Sequence, residues 1–364
     1  MAAEREVPVI VLGVGGVGRA LLSQILERRA YHAQRYGLHL KIVAMADTTG
    51  AAVDPNGLSD QDIRTAIEHK AQGKSLADLP FGYYQNNVKS IIDLEATAET
   101  VVVDVTATLD VVDALLLAQK RGSSIVLANK LPLTMEETRA AAFFNYPRLR
   151  YEATVGSALP VVTTTKRLSA SGETIRRIVG VLSGTLGYLM TAVEDGVAFS
   201  KAVVKAKELG YTEPDPREDL SGRDVARKAL IIARTLGWNV EMEDIEVQSL
   251  FPEEWSDWPL EDFMAELIAL DDDFFAWLDA AKARHEALRY VAELEEGKIS
   301  VGIKFVPTDS PIGRLRGTDN MVEFHTQYYD PFPLVLAGRG AGVQATAAGV
   351  LSDILELALF PLVP

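Results

Sequence analysis

The chain has 364 residues, 48% of them hydrophobic and 24% charged, with no cysteine and a formal net charge of −15. That length suits two domains, and the missing thiols exclude disulfides, thiolate metal sites and thiohemiacetal chemistry at an aldehyde. The acidic balance argues against nucleic acid as a partner, and no apolar run reaches membrane-spanning length.

Residues 1–8 are short and charged and lack the apolar segment of a signal peptide, so the expected location is cytoplasmic. Val9 to Leu12 reads as a buried strand. It runs into Gly13-Val14-Gly15-Gly16-Val17-Gly18 and then a helix through Leu21, Leu22 and Ile25. In that setting Gly13 allows the tight turn and Gly15 lets the backbone approach a pyrophosphate. Gly18 allows close helix–strand packing, and the helix N-terminus faces the negative charge. Gly13, Gly15, Gly16, Val17 and Gly18 are therefore candidate cofactor residues; the alternative is a tight turn in some other α/β protein.

Lys41 to Ala46 is the second predicted strand and ends on Asp47, where an acid commonly holds ribose hydroxyls. It stands further from Gly18 than the usual spacing of about 20 residues, and the polar stretch 29–40 accounts for the excess. No lysine or arginine follows Asp47 directly, which points to NAD, although a basic residue from elsewhere could bind the NADP phosphate. Residues 50–80 are polar and turn-rich, with no specified arrangement. Val101 to Thr106 reads as a strand, Val111 to Arg121 as a helix and Ser124 to Ala128 as a strand followed by Asn129-Lys130. Strand ends here face the cofactor crevice, so Lys130 can contact cofactor, substrate carboxylate or reacting oxygen. Otherwise it is a solvated loop lysine.

From about residue 151 the rhythm changes. Ile175 to Val181 suits a strand, Thr185 to Val193 and Phe199 to Leu209 suit helices, and Gly210 to Ser221 is a loop with Pro214 and Pro216. A helix is expected from about Gly222 to Leu236, stopping at Gly237. The acidic segment 241–283 is helical in parts, with Trp255, Trp258 and Trp277 expected in the core. Tyr290 to Val306 reads as a hairpin around Glu296-Gly297. Val322 to Tyr328 and Pro333 to Leu336 are further strand candidates. The last helix, roughly Gly342 to Leu359, is apolar enough to pack back on the first domain.

The block Leu209 to Lys228 clusters Glu213, Asp215, Asp219 and Asp224, with Lys228 one helical turn beyond Asp224. Residues i and i+4 share a helix face, so Asp224 can hold and orient the Lys228 ammonium for proton transfer. The same spacing also describes an ordinary surface ion pair, but the apolar Ala229 to Ile232 that follow favour burial. None of the five histidines (His32, His39, His69, His285, His325) joins such a constellation, and no zinc-ligand spacing occurs.

These motifs, with Glu152 to Pro160, Ser183-Gly184-Thr185 and Gly338 to Gly342 followed by Thr346 and Asp353, resemble the homoserine dehydrogenase family in order and along nearly the whole chain. The match is to the short monofunctional form, with no aspartokinase expected before the first strand and no regulatory ACT domain after Pro364. The resemblance implies an NAD- or NADP-dependent interconversion of L-aspartate 4-semialdehyde and L-homoserine, toward threonine, methionine and isoleucine. It implies Lys228 as proton donor, Asp224 as its orienter and Lys130 beside substrate and nicotinamide. Glu213 and Asp219 would bind the substrate ammonium, with Gly184, Thr185 and Tyr211 lining the site, while Thr106 and Gly342 would touch the cofactor. A structural sodium ion would be held by Glu152, Val155, Ser157 and Leu159, some through backbone carbonyls. A homodimer would form partly through the second domain's sheet. Ser183 and Gly187 depart from the family, which often has Asn at the first position and Asn or Ser at the second.

The fold class that follows is α/β. A Rossmann-type dinucleotide-binding domain spans 1–150, with 341–364 packing back, and an α+β catalytic and dimerisation domain spans 151–340. Other readings are a different amino-acid or oxo-acid dehydrogenase, a catalytically silent NAD(P) sensor, and a methyltransferase, which shares glycine-rich first turns but finds no support in the later lysines.

Overall fold

The structure is a computed structural model that describes residues 5–360. Residues 1–4 and 361–364, the two ends of the expected first domain, lie outside the described residues. The chain divides into two units, one running up to Ala158 and resuming at Gly342, the other Leu159–Ala341.

In chain order the first unit contains β1 (Arg5–Leu12), α1 (Gly16–Tyr36), β2 (Leu38–Ala46), β3 (Gly50–Val53), α2 (Asp60–Ala71), β4 (Gly82–Tyr84), α3 (Val88–Glu95), β5 (Val101–Asp104), α4 (Val112–Lys120), β6 (Ser124–Leu127), α5 (Glu137–Phe144) and β7 (Leu149–Arg150). The strands form one sheet in the order β4-β3-β2-β1-β5-β6-β7. Strands β2, β1, β5, β6 and β7 run parallel, and β3 and β4 are antiparallel additions. All of β5 and β6 is buried, which is why both read as unbroken apolar runs rather than alternating ones. Strand order reverses between β1 and β5, so the crevice at their carboxyl ends is the ligand side of the sheet.

The polar stretch 29–40 is not an insert. Helix α1 simply continues to Tyr36, because no breaker occurs before Gly37, which takes a left-handed φ of 60° and donates to the Ala33 carbonyl. β2 then begins at once. Likewise β5 stops at Asp104 rather than Thr106, because the Thr106 amide turns onto the Asp104 carboxylate.

The second unit contains α6 (Val161–Ala170), β8 (Ile175–Val181), α7 (Gly184–Glu194), α8 (Phe199–Glu208), α9 (Arg217–Leu220), α10 (Arg223–Thr235), β9 (Ile245–Val247), α11 (Leu260–Glu266), α12 (Asp271–Ala283), β10 (Glu286–Glu295), β11 (Lys298–Pro307), α13 (Pro311–Arg314), β12 (Asp319–Thr326) and β13 (Leu334–Arg339). Its mixed sheet has the order β13-β12-β8-β10-β11-β9. Strands β10 and β11 pair around Glu296-Gly297, and α7, α10 and α12 pack on β10. Of the three tryptophans expected in the core, Trp255 is buried but Trp258 is 36% exposed and stacks on its outside, while Trp277 is half-buried at Phe274. Phe263 and Phe274, fully enclosed, take the interior places.

Helix α14 (Val343–Leu359) belongs to the first unit, where Val350, Ile354 and Leu357 join Leu21, Leu22 and Ile25 in one core. The Asp353 carboxylate accepts from the Glu152 amide, tying α14 to the end of the parallel sheet.

Asp47 fixes the β2–β3 turn. Its Oδ1 accepts the amides of Thr49 (2.9 Å) and Gly50 (2.7 Å), and its Oδ2 accepts Lys70 Nζ (2.6 Å) and the Leu76 amide (2.8 Å). Burial pushes the carboxyl up, but the bonds from Lys70, Leu76, Thr49 and Gly50 outweigh it and hold Asp47 below the ordinary aspartate value. A depressed carboxyl stabilises the fold above the ordinary aspartate value and loses that contribution as pH falls through its folded value. We expect Asp47→Ala to cost roughly 3 kcal/mol in urea unfolding. Asp47→Asn should flatten the acid decline of stability; equal acid slopes in wild type and variant would refute the linkage.

Candidate active site

The first unit presents a cradle at the carboxyl edge of its parallel strands. The Gly13 amide donates to the Ala46 carbonyl at the end of β2, and Gly13 has φ 98°. A Cβ on Gly18 would stand 2.0 Å from the Gly13 carbonyl oxygen, so the turn and the first helical turn touch with no room for a side chain. Gly15 and Gly16 are exposed, and a Cβ on Gly15 would meet nothing within 4 Å. That face is open to a ligand. No side chain caps α1 and no acid stands in its first turn, so its N-terminal amides suit an anion. Val17 turns its side chain to the core, leaving its backbone for ligand contact.

The other cofactor candidates gather at this loop. Gly13 rests on Thr106, whose amide would lie 3.1 Å from a Gly13 Cβ. Thr106 Oγ1 accepts from the Asn129 side chain (3.2 Å), and Lys130 follows directly. Gly342 starts α14 beside the loop, because Val343 lies against Gly16. Asp47 is at the same sheet edge, but its carboxylate is spent on Lys70 and three amides, and its side chain is only 7% exposed. Asp47 thus braces the β2–β3 turn at the edge where the sequence suggests a ribose ligand, and the fold brings a lysine to the end of β2 from 23 residues away. The residues present otherwise fit a dinucleotide.

Of the residues implied for a sodium ion, Glu152 is buried in a single 3-10 turn, Glu152–Thr154, and Val155 is fully buried. Ser157 takes a left-handed φ of 63° and shares a hydroxyl–hydroxyl bond with Thr346 (3.0 Å). Leu159 begins the second unit. Among the described residues no three His, Asp or Glu side chains converge as a metal cage; carbonyl ligation of a monovalent ion does not require one.

The second unit places Lys228 on α10, 13% exposed, with Nζ donating to the Leu182 carbonyl (2.6 Å) and 2.8 Å from Asp224 Oδ2. Gly222 starts that helix with φ 71°, and a Cβ there would fall 1.9 Å from Tyr290 Oη, so only glycine lets α10 begin this close to β10. Leu182 immediately follows β8, and Ser183 then caps α7 by accepting the Leu186 amide. Sequence reasoning missed the Leu182 carbonyl, since a backbone oxygen has no side-chain signature.

The acidic cluster divides. Asp215 is gripped by Arg217, whose guanidinium also donates to the carbonyls of Ser256 and Trp258, so Asp215 is an anchor rather than a ligand. Asp219 accepts the Glu213 amide (2.8 Å), and Thr185 Oγ1 donates to the Tyr211 carbonyl (2.6 Å). Burial, with Glu213 and Asp224 nearby, pushes the Asp219 carboxyl above the ordinary aspartate value despite the opposing bond from the Glu213 amide. Gly184 sits under the Thr318 carbonyl, and Tyr211, half-exposed, meets Tyr188 edge-on. Glu213, Asp219, Thr185 and Tyr211 therefore lie together beside the α10 pair.

A family model described as homoserine dehydrogenase matches residues 160–355. The homoserine dehydrogenase of Emericella nidulans is 34% identical over 370 residues, covering 95% of this chain and 97% of that protein. The chain belongs to the homoserine dehydrogenase family. The bifunctional aspartokinase/homoserine dehydrogenase of Haemophilus influenzae is 36% identical across 97% of this chain, but the chain spans only 43% of its length. Among solved structures, a Candida auris protein of unknown function superposes with a TM-score of 0.82 at 30% identity, covering 97% and 98% of the two chains. A putative homoserine dehydrogenase from Archaeoglobus fulgidus does so with 0.76 at 27%, covering 96% and 99%. A hyperthermophilic archaeal homoserine dehydrogenase in complex with NADPH shares the fold, with 0.75 at 24% across 97% or more of both chains. The family's variable positions have local explanations here. Ser183 supplies the α7 cap, and a Cβ on Gly187 would lie 2.8 Å from the Gly317 carbonyl.

Two glycine substitutions separate folding from cofactor binding. Gly18→Ala must push the loop from the helix and should cost about 1–3 kcal/mol of stability in chemical denaturation. Gly15→Ala should unfold at the wild-type midpoint yet weaken dinucleotide binding, read by quenching of protein fluorescence. A Gly15→Ala protein that binds NAD(P)H as well as wild type would remove the loop from the site.

Proposed function

We propose that this protein catalyses the reversible NAD(P)-dependent reduction of L-aspartate 4-semialdehyde to L-homoserine, as an enzyme of threonine, methionine and isoleucine biosynthesis. The observation that carries the reading is the Lys228 ammonium, bound on two sides by Asp224 and the Leu182 carbonyl. An ammonium has three donors, and two are thereby assigned, which leaves one for the reacting oxygen.

The nicotinamide, when bound, supplies the hydride. Adding hydride to the aldehyde carbon places negative charge on the oxygen; Lys228 stabilises that charge and delivers the proton. In the oxidative direction Lys228 takes the hydroxyl proton. Asp224 orients the ammonium. Glu213 and Asp219 bind the substrate ammonium, with Gly184, Thr185 and Tyr211 shaping the pocket. Lys130 acts beside the nicotinamide at the carboxyl edge of the first sheet. Gly13, Gly15, Gly16, Val17, Gly18, Thr106 and Gly342 hold the dinucleotide, with Lys70 the cation nearest Asp47.

The same reading assigns a structural sodium ion to Glu152, Val155, Ser157 and Leu159 and a homodimer involving the six-stranded sheet, whose outer strands are β13 and β9. No described helix is long and apolar enough to cross a membrane, and a cytoplasmic location is part of the proposal. An intact lysine–carboxylate pair is of no use to a cofactor sensor, which sets that alternative behind the enzyme.

Purified protein given homoserine and NAD or NADP should produce reduced nicotinamide; no turnover with either cofactor rejects the proposal. Lys228→Ala should lower kcat roughly 10²- to 10⁴-fold, and Lys228→Arg, which keeps the charge but gives up its proton poorly, should remain slow. Because the Asp219 carboxyl is raised, the acid limb of kcat/KM for homoserine should lie above the ordinary aspartate range and vanish in Asp219→Asn. Bound substrate ammonium favours the carboxylate, so kcat should lack that limb. An unchanged profile in Asp219→Asn removes this residue from substrate binding.

A further inference from the structure

The carboxyl ends of β5 and β6 are joined by one buried side chain to which the family resemblance gives no role. Asp104, the last residue of β5, is fully buried. Its Oδ1 accepts the Thr106 amide (2.9 Å) and the Thr106 hydroxyl (2.7 Å), and its Oδ2 accepts the Asn129 side-chain amide (3.0 Å). That same amide donates to the Thr108 carbonyl (2.8 Å) and to Thr106 Oγ1 (3.2 Å), and Asn129 Oδ1 accepts the Leu131 amide (3.1 Å). Every polar atom of both side chains is therefore used.

The two turns so tied are the ones on which the cofactor side of the site is built. Thr106 forms the surface on which Gly13 rests, within 3.1 Å of where a Cβ would be. The Asn129 side-chain oxygen Oδ1 accepts the Leu131 amide and so fixes the start of the 3-10 turn Leu131–Leu133, whose N-cap is Lys130. One carboxylate thus sets both the floor of the glycine turn and the backbone from which the Lys130 side chain departs.

We propose that Asp104 and Asn129 are a positioning pair for the dehydrogenase reaction, locking the turn after β5 to the turn after β6 so that Lys130 and the glycine loop keep one mutual geometry. Neither residue touches the reactants. The proposal rests on the reading of Lys130 as a residue beside the nicotinamide. Burial pushes the Asp104 carboxyl up, and its Thr106 and Asn129 donors oppose that, so removing a donor leaves the carboxylate under-served and the turn free to shift.

The test is a double-mutant cycle on the full chain with Asn129→Ala, Lys130→Ala and the pair, reading kcat, KM for homoserine, NADPH affinity by fluorescence and the thermal midpoint. Misplacement of a reacting group by about 1 Å costs on the order of 10²-fold, so Asn129→Ala should lower kcat by about that factor with KM for homoserine little changed. The double variant should be no slower than Lys130→Ala alone, because Asn129 acts through Lys130. Multiplying losses, or full kcat in folded Asn129→Ala beside a slow Lys130→Ala, overturns the positioning pair alone. Full kcat in Lys130→Ala overturns the reading of Lys130 and the pair with it. If Asn129→Ala does not fold, the isosteric Asp104→Asn, which turns a donor toward a donor, is put through the same cycle with the same outcomes.

Discussion

An ammonium can be drawn out of water only if its hydrogens find acceptors and its charge finds a counter-charge. Lys228 meets both demands with parts from different elements. Asp224, one turn earlier on α10, supplies the charge, and the Leu182 carbonyl just past β8 supplies the second acceptor. That carbonyl is available because the strand has ended and Ser183 has turned the chain into α7. The helix carrying both charged residues starts where it does because Gly222 lets it sit against Tyr290, whose hydroxyl donates to the Gln248 carbonyl. Strand end, helix cap and helix start are thus the conditions for one oriented, half-enclosed ammonium.

The parts that could be read from sequence were those with a repeating signal or a dedicated breaker. Strand β8 and the span of α10 follow from apolar patterning bounded by glycine, and the β10–β11 hairpin follows from Glu296-Gly297. Strands β3 and β4 could not be read, because four and three residues are too short to show a period. The partners of Asp47 were equally hidden: Lys70 and Leu76 stand 23 and 29 residues away, brought close only by the antiparallel extension. Leu182 lies 46 residues from Lys228 and acts through its backbone, so no residue type marks it. The i, i+4 spacing of Asp224 and Lys228 was readable; what buries it was not.

The acidic loop shows the same division between composition and arrangement. Four carboxylates stand close in sequence, of which the resemblance implies Glu213 and Asp219 for an ammonium and Asp224 for Lys228. In the fold Asp215 is consumed by the Arg217 fork, and that arginine pins the loop to the carbonyls of Ser256 and Trp258. Asp224 is consumed by Lys228. Glu213 and Asp219 are left outside these two ion pairs, and Asp219 feels both burial and its acidic neighbours, which raise its carboxyl. With two members of the like-charged cluster already paired, the remaining negative charge has a fixed place in the fold.

A net charge of −15 is a poor match, taken over the whole chain, for a dinucleotide, itself an anion. The conflict disappears when charge is followed locally, since a field inside a crevice is set by the nearest dipoles and charges and distant surface charge is screened. Both helices that begin at the glycine loop, α1 and α14, lack an acid in the first turn and lack a side-chain cap. Helices α2 and α12, by contrast, begin with Asp60 and Asp62, and with Asp271, Asp272 and Asp273. Acids there stabilise the helix against its own dipole. At α1 and α14 that stabilisation is forgone, the amides stay directed outward, and the one carboxylate at the end of β2, Asp47, is cancelled by Lys70. The acidic surface and the anion-receptive loop are therefore compatible, because the first turns of α1 and α14 hold no acid and the carboxylate at the end of β2 is paired.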